Sequence, residues 1–229
     1  MLTLGIETAT DQGAAGLCRG EKLLGEVSFS ARMGQAERLV PAIDSLLKLH
    51  RVEQKELQLI AVATGPGSFT GLRIGMATAK GLAQALRIPL IGVPSADPFA
   101  SRVSSIWTSA ICVVLSDRRN LIYDALFAKG EKISHEQSRT IELLIEELKS
   151  RTEKILCVGT GVEEHRHALE QIAHITIAPA VLNLPSALGI ARLGWEKFER
   201  TQQDELFSLE PLYVQRLMSE VIAGSQPIE

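Results

Sequence analysis

The sequence predicts an α/β protein of two lobes, each a mixed sheet with helices. Three observations predict it. Short apolar runs alternate along the chain with stretches whose apolar residues recur at helical spacing. The order strands, helix, strand, helix, strand is followed, beyond Pro94 and Pro98, by strands, helix, strand, helix again. The 229 residues suit one large domain or two small lobes. A boundary between Ala100 and Ser109 gives a first lobe of residues 1–102 and a second of 103–229, with the last segment left free to pack back on the first lobe.

Residues 2–8, 14–18 and 23–29 read as three strands. The polar turns Asp11-Gln12-Gly13 and Arg19-Gly20-Glu21 separate them, which predicts an antiparallel meander. From Gln35 to His50, the residues Ala36, Leu39, Val40, Ile43, Leu46 and Leu47 recur at helical spacing. A strand over 57–64 runs into Gly65-Pro66-Gly67, followed by a helix over 70–86 and a short strand over 89–93. In the second half, 110–115 and 121–128 form a hairpin. A helix over 141–149, a strand over 154–158, a helix over 162–172 and a last helix over 187–198 follow, and 210–216 is extended.

Composition narrows the function. Aromatic residues are 4% of the chain, few for a protein that reads single strands by stacking. The net charge is −3 and the isoelectric point about 6.0, and basic residues occur only as short pairs such as Arg118-Arg119. A chain of this kind does not grip nucleic acid tightly alone. Cys18, Cys112 and Cys157 sit singly in apolar runs and read as core residues in a reducing compartment. With no signal-peptide pattern at Met1 and no apolar run of membrane-spanning length, the expected location is the cytoplasm, with no membrane partner.

The most distinctive stretch is Gly65-Pro66-Gly67-Ser68-Phe69-Thr70-Gly71-Leu72-Arg73-Ile74-Gly75, a glycine loop that opens a helix. Ser68 or Thr70 is placed to cap that helix. The loop lacks the Gly-Lys-Ser/Thr of a P-loop and the Gly-x-Ser-x-Gly of a nucleophile elbow. A tight structural turn is favoured over a phosphate site. Behind it, Gly71, Gly75, Ala79 and Ala83 recur in steps of four and form a small-residue face. Glycine inside a helix costs about 1 kcal/mol relative to alanine, so close approach of another element is implied. That element is either the first helix of the same lobe or a helix of another subunit. Glu7 ends the first strand, where actin-like ATPases set an aspartate beside glycines; here Thr8-Ala9-Thr10 follows. Asp11 and Asp117 read as turn residues. His165 and His167, two apart, point to different sides, and the five histidines read as surface or helix-end residues.

The glycine stretch closely resembles the signature of the TsaB (YeaZ) family. The resemblance extends through Leu4-Gly5-Ile6-Glu7-Thr8-Ala9-Thr10, Glu37-Arg38-Leu39-Val40-Pro41, Gly81-Leu82-Ala83 and Ile91-Gly92-Val93. In the second half it rests on Arg118-Arg119 with Tyr123, on Val158-Gly159-Thr160-Gly161, and on Pro211-Leu212-Tyr213-Val214-Gln215-Arg216. It implies a two-lobed actin-like ATPase (ASKHA, ribonuclease H-like) fold and a degenerate paralogue of TsaD, which transfers threonylcarbamoyl to the tRNA adenosine beside the anticodon. TsaD holds a metal partly through two histidines, and the equivalent positions here are Gln35 and Leu39. The hairpin Ser116-Asp117-Arg118-Arg119-Asn120-Leu121 also departs from the family pattern, its aspartate moved by one position.

The resemblance implies a non-catalytic scaffold subunit without cofactor or metal of its own, ATP and metal being handled by partner subunits, with weak nucleotide binding left open. It implies TsaD and TsaE as partners, a second copy when free, and tRNA only through the complex. The interface it implies comprises Gln35, Leu39, Ile43 and Leu46 of the first helix with Gly71, Leu72, Gly75, Met76, Ala79 and Ala83 of the second. Gly65, Gly67, Ser68, Thr70 and Gly71 form the structural glycine loop. The alternatives are a degenerate actin-like ATP-binding kinase and a hydrolase using Ser68.

Overall fold

The computed structural model describes residues 1–30, 34–117 and 121–214. The meander forms as predicted: β1 (Leu2–Glu7), β2 (Gln12–Arg19) and β3 (Lys22–Ser30) are successive antiparallel neighbours. Then come α1 (Gln35–Leu49), β4 (Leu59–Gly65), α2 (Phe69–Leu86) and β5 (Leu90–Pro94). The sheet order is β3-β2-β1-β4-β5, with β1, β4 and β5 parallel. β4 is buried along its whole length, as a central parallel strand covered on both faces must be.

Pro94 ends β5, and Pro98 stands in the first turn of a helix, α3 (Asp97–Ser104), where the missing N–H has no intrahelical partner to lose. The second sheet follows: β6 (Ala110–Ser116), β7 (Ile122–Ala128), β8 (Glu131–Lys132), β9 (Gln137–Arg139), α4 (Ile141–Ser150), β10 (Ile155–Val158), α5 (Arg166–Glu170) and β11 (Ile175–Ile177). Its order is β11-β10-β6-β7-β8, with β9 also pairing with β7. The helix expected over 162–172 is confined to α5. Gly161 donates to the Val114 carbonyl of β6 at 3.0 Å and Val162 to Gly159 at 3.2 Å, so the preceding residues are held in turns.

The last helix, α6 (Ala187–Thr201), belongs to the first lobe, not to the second where the boundary near residue 102 had placed it. It lies on the sheet face opposite α1 and α2, and with Leu59, Ala61, Ile91 and Val93 it encloses a separate core. Small residues permit this. A Cβ on Gly5 of β1 would overlap the Ala187 carbonyl, and one on Gly194 would overlap the side chain of Ala61. At the start of α6, Glu26 of β3 accepts from Ser186 Oγ (3.1 Å) and Leu188 N (2.8 Å). Acceptors of this kind meet the free amides of a helix N-terminus.

The chain then covers the β5 edge with a strap. Asp204 Oδ1 accepts from Leu90 N (3.0 Å) and Glu205 Oε2 from Gly92 N (2.7 Å). Glu205 N donates to Leu90 O (2.9 Å) and Leu212 N to Thr64 O (2.8 Å). Side chains and backbone thus meet hydrogen-bonding groups that an open edge would offer to other strands.

The second lobe contains a buried ion network. Arg139 donates to both carboxylate oxygens of Asp124, at 2.8 and 2.7 Å, and to Glu147 at 2.7 Å. Asp124 and Arg139 are both buried. Burial pushes the Asp124 carboxyl above the usual carboxylate range, and Arg139 opposes that. Removing one partner strands a buried charge. Arg139→Met is expected to lower unfolding stability by about 3–5 kcal/mol. The double variant Arg139→Met/Asp124→Leu is expected to recover most of that loss. Urea unfolding of the three proteins checks both.

Candidate functional site

Four segments converge beside β1: the β1–β2 turn over residues 8–11, the glycine loop over 65–68, the start of α1 and the first turns of α2. The Gln35 side chain on α1 donates from Nε2 to the Thr8 carbonyl at 3.0 Å. The Ser68 backbone N–H donates to the Ala9 carbonyl at 2.7 Å. Ser68 caps α2, its Oγ accepting from Gly71 N at 3.3 Å, one of the two caps the sequence offered. Gly65 takes a left-handed backbone (φ 107°) that suits glycine.

The small-residue face of α2 is turned toward this turn. A Cβ on Gly71 would overlap the Thr8 carbonyl oxygen, and one on Gly75 would overlap Thr8 Oγ1. This corrects the expectation that the stripe meets another subunit. Gln35, Leu39, Ile43 and Leu46 of α1, and Gly71, Leu72, Gly75, Met76, Ala79 and Ala83 of α2, are all buried inside the single chain. The reading that set the first helix of the same lobe opposite the stripe is met in part, since a Gly71 Cβ would lie 2.9 Å from Gln35 Oε1 and Ala79 and Ala83 share a core with Leu39, Ile43 and Leu46; neither reading had included Thr8. The reason is geometric: residues a helical turn apart face one neighbour, and here that neighbour is the end of the central strand. The exposed face of the two helices is a different set of residues. On α1, Ala36, Val40 and Leu49 are exposed, Val40 at 56% and Leu49 at 72%. On α2 the exposed residues include Ala77, Gly81 and Ala85, again in steps of four, and nothing lies within 4 Å of where a Gly81 Cβ would sit.

At the N-terminal end of α2, Arg73 stacks on the Phe69 ring at 3.9 Å, and Tyr213 from the strap lies 5.5 Å from that ring. Sequence reasoning did not find this cluster, because its third member arrives from residue 213. Arg118, Arg119 and Asn120 of the β6–β7 hairpin, and Gln215 and Arg216 of the terminal motif, lie outside the described residues.

Between the lobes lies a cleft of about 760 Å³, whose lining includes Asp11, Ser68, Tyr123, Glu163 and Asn183. A phosphate is received where free backbone amides point into a cleft at a turn or a helix start. Here Ala9 N donates to Glu7 Oε1 at 2.6 Å and Ser68 N to Ala9 O, so these two amides are bonded within the protein. They do not fit a phosphate-binding turn. The positions that the resemblance equates with metal ligands do not fit a metal either: the Gln35 amide donates to Thr8, and Leu39 is in the apolar core. Among the described residues, no group of three or more His, Cys, Asp or Glu is gathered to hold an ion. Ser68 Oγ serves as a helix cap, and no histidine lines the cleft among those residues. The three cysteines are buried, and His50 and His165 stand at helix ends. Among the described residues no helix is long and apolar enough to cross a membrane.

A family model described as "TsaD: tRNA N6-adenosine threonylcarbamoyltransferase" matches residues 30–201. The "tRNA threonylcarbamoyladenosine biosynthesis protein TsaB" of Bacillus subtilis is 29% identical over 203 residues, 86% of this chain and 88% of that protein. The chain is a TsaB/YeaZ member of the TsaD family. YeaZ from Pseudomonas aeruginosa superposes with a TM-score of 0.74 at 22% identity, over 93% of this chain and all of that one. The activator of 2-hydroxyisocaproyl-CoA dehydratase from Clostridium difficile, with bound ADPNP, superposes at 0.54 and 10% identity, over 93% of this chain and all of that one. Together with the two mixed sheets these likenesses establish the two-lobed ASKHA fold.

The packing over Thr8 makes a two-part prediction. Gly75→Ala is expected to destabilise the chain by about 1–3 kcal/mol, the usual range for overpacking. Thr8→Ala is expected to restore most of it, because the obstacle is the Thr8 side chain, whose buried Oγ1 has no hydrogen-bond partner. Gly71→Ala meets backbone instead and is expected to gain nothing from Thr8→Ala. Thermal melts of the single and double variants check the contrast.

Proposed function

We propose that the chain is a scaffold subunit, without transfer chemistry of its own, in the machinery that forms threonylcarbamoyladenosine at position 37 of tRNA. In this reading it binds and stabilises a TsaD subunit, helps recruit TsaE, pairs with a second copy when free, and meets tRNA only within the assembly. ATP and metal are handled by the partners.

Family membership supports the pathway. The side chains at positions 35 and 39 support the absence of transfer chemistry, since an amide bonded to Thr8 and a core leucine take the places of metal-binding histidines. The observation that carries the docking role is the outer face of α1 and α2. The two helices cover the same side of the first sheet. Among their outward residues Val40, Ala77, Gly81 and Ala85 are small or apolar, and open space lies over Gly81. Small residues on a helix surface let a second helix approach closely, and exposed apolar surface of this kind marks contact sites. The partner that fits is a TsaD-type subunit presenting its own helices.

Gly81→Arg tests this directly. It adds a long charged side chain where nothing is in contact and replaces a poor helix former with a good one, so the melting temperature is expected to rise by about 2–4 °C. Co-purification with the cognate TsaD, and tRNA modification by the reconstituted system, are expected to fall at least tenfold. Unchanged binding to TsaD would sink the assignment of this face. Full modification without the chain would sink the scaffold role.

A further inference from the structure

We propose that Glu7 is a protonation-operated latch that holds the β1–β2 turn against the first turn of α2. The geometry points to it in three contacts. The Glu7 side chain, 2% exposed at the end of β1, accepts from Ala9 N at 2.6 Å. The carbonyl of the same Ala9 accepts from Ser68 N at 2.7 Å, and Ser68 is the residue that caps α2. Gly67 presses on Ala9 so closely that a Cβ there would overlap the Ala9 carbonyl. One residue therefore joins the buried carboxyl on one side to the helix start on the other.

The surroundings favour the neutral acid. On the neighbouring strand β2, Glu7 faces Ala14, and β4 and the first turn of α6 carry no titratable side chain. α1 offers the uncharged Gln35, which is bonded to Thr8. The charge that reaches Glu7 is that of Glu26 on β3, a like charge. Burial, with that smaller repulsion, pushes the Glu7 carboxyl up to about 7, against the lowering effect of the Ala9 and Thr10 N–H groups. A carboxyl raised in the folded state contributes stability below its unfolded value near 4.5 and loses it as the pH rises through about 7. The loss is localised. Residues 9–12 form one wall of the cleft, so the turn has solvent to move toward when the carboxylate seeks water. Movement of Ala9 breaks its bond to Ser68 and frees the first turn of α2. The inference is independent of which partner docks on the outer face.

Hydrogen exchange on the full chain at pH 5.5 and pH 8, corrected for intrinsic rates, tests the latch. In the wild type, protection of the amides over 68–72 is expected to fall about tenfold at pH 8 relative to those of β6. In Glu7→Gln the ratio is expected not to change with pH. A wild-type ratio independent of pH, or the same fall in Glu7→Gln, would overturn the proposal. NMR of the wild type gives a second test that needs no variant. The Glu7 carboxyl carbon and the Ser68 amide are expected to titrate together, and a Ser68 amide that stays still while Glu7 titrates would overturn it.

Discussion

The seating of α2 on the end of β1 is the contact from which the rest of the first lobe is arranged. Two glycines a helical turn apart, Gly71 and Gly75, leave room for the carbonyl and the side chain of Thr8. Any side chain larger than hydrogen at either position would push the helix outward. With α2 so close, the glycine loop folds over Ala9, Ser68 is brought to its capping position, and Gln35 of α1 reaches the same Thr8 carbonyl. The energetic cost of glycine in a helix is offset by the close packing it allows against the Thr8 backbone and side chain. The outward residues of α1 and α2 follow from this seating, because a helix that turns one small face inward must turn another face out.

The opposite side of the sheet is closed by a helix from far along the chain. α6 returns after the second lobe is complete, and its own Gly194 meets Ala61 while Gly5 of β1 receives its start. The sheet is therefore covered on both faces, which accounts for the unbroken burial of β1 and β4. The strap that follows fastens to β5 through Asp204 and Glu205, and its Tyr213 ends beside Phe69. The second half of the chain thus contributes a core layer, an edge cover and part of the surface at the α2 N-terminus to the first lobe.

Membership of the TsaB/YeaZ family and the state of the cleft bear on function in different ways. Membership links the chain to proteins of tRNA threonylcarbamoyladenosine biosynthesis. At and behind the cleft wall, polar groups are bonded to the protein itself: Ala9 N to Glu7, Ser68 N to Ala9, and the Gln35 amide to Thr8. Such bonds satisfy buried polar groups and rigidify the turn.

Much of the fold was legible in the sequence. Periodicity located α1, α2, α4 and α6 and the strands β1 to β7 and β10, because alternation and helical spacing are local properties of the chain. The glycine signature identified the family, and Ser68 as a cap could be read from its place before a helix. The short strands β8, β9 and β11 left no local signal, and three larger features could not be read. α3 was hidden by prolines that serve equally to end a segment and to start a helix. The placement of α6 in the first lobe depends on a contact between Gly5 and residues more than 180 positions away. The direction of the Gly71–Gly75 face was also beyond reach. Sequence determined that some element must come close to those glycines. Only the tertiary structure decided that it is Thr8, just past the end of the central strand, and not another chain, because spacing records which residues share a face and contains nothing about what lies opposite it.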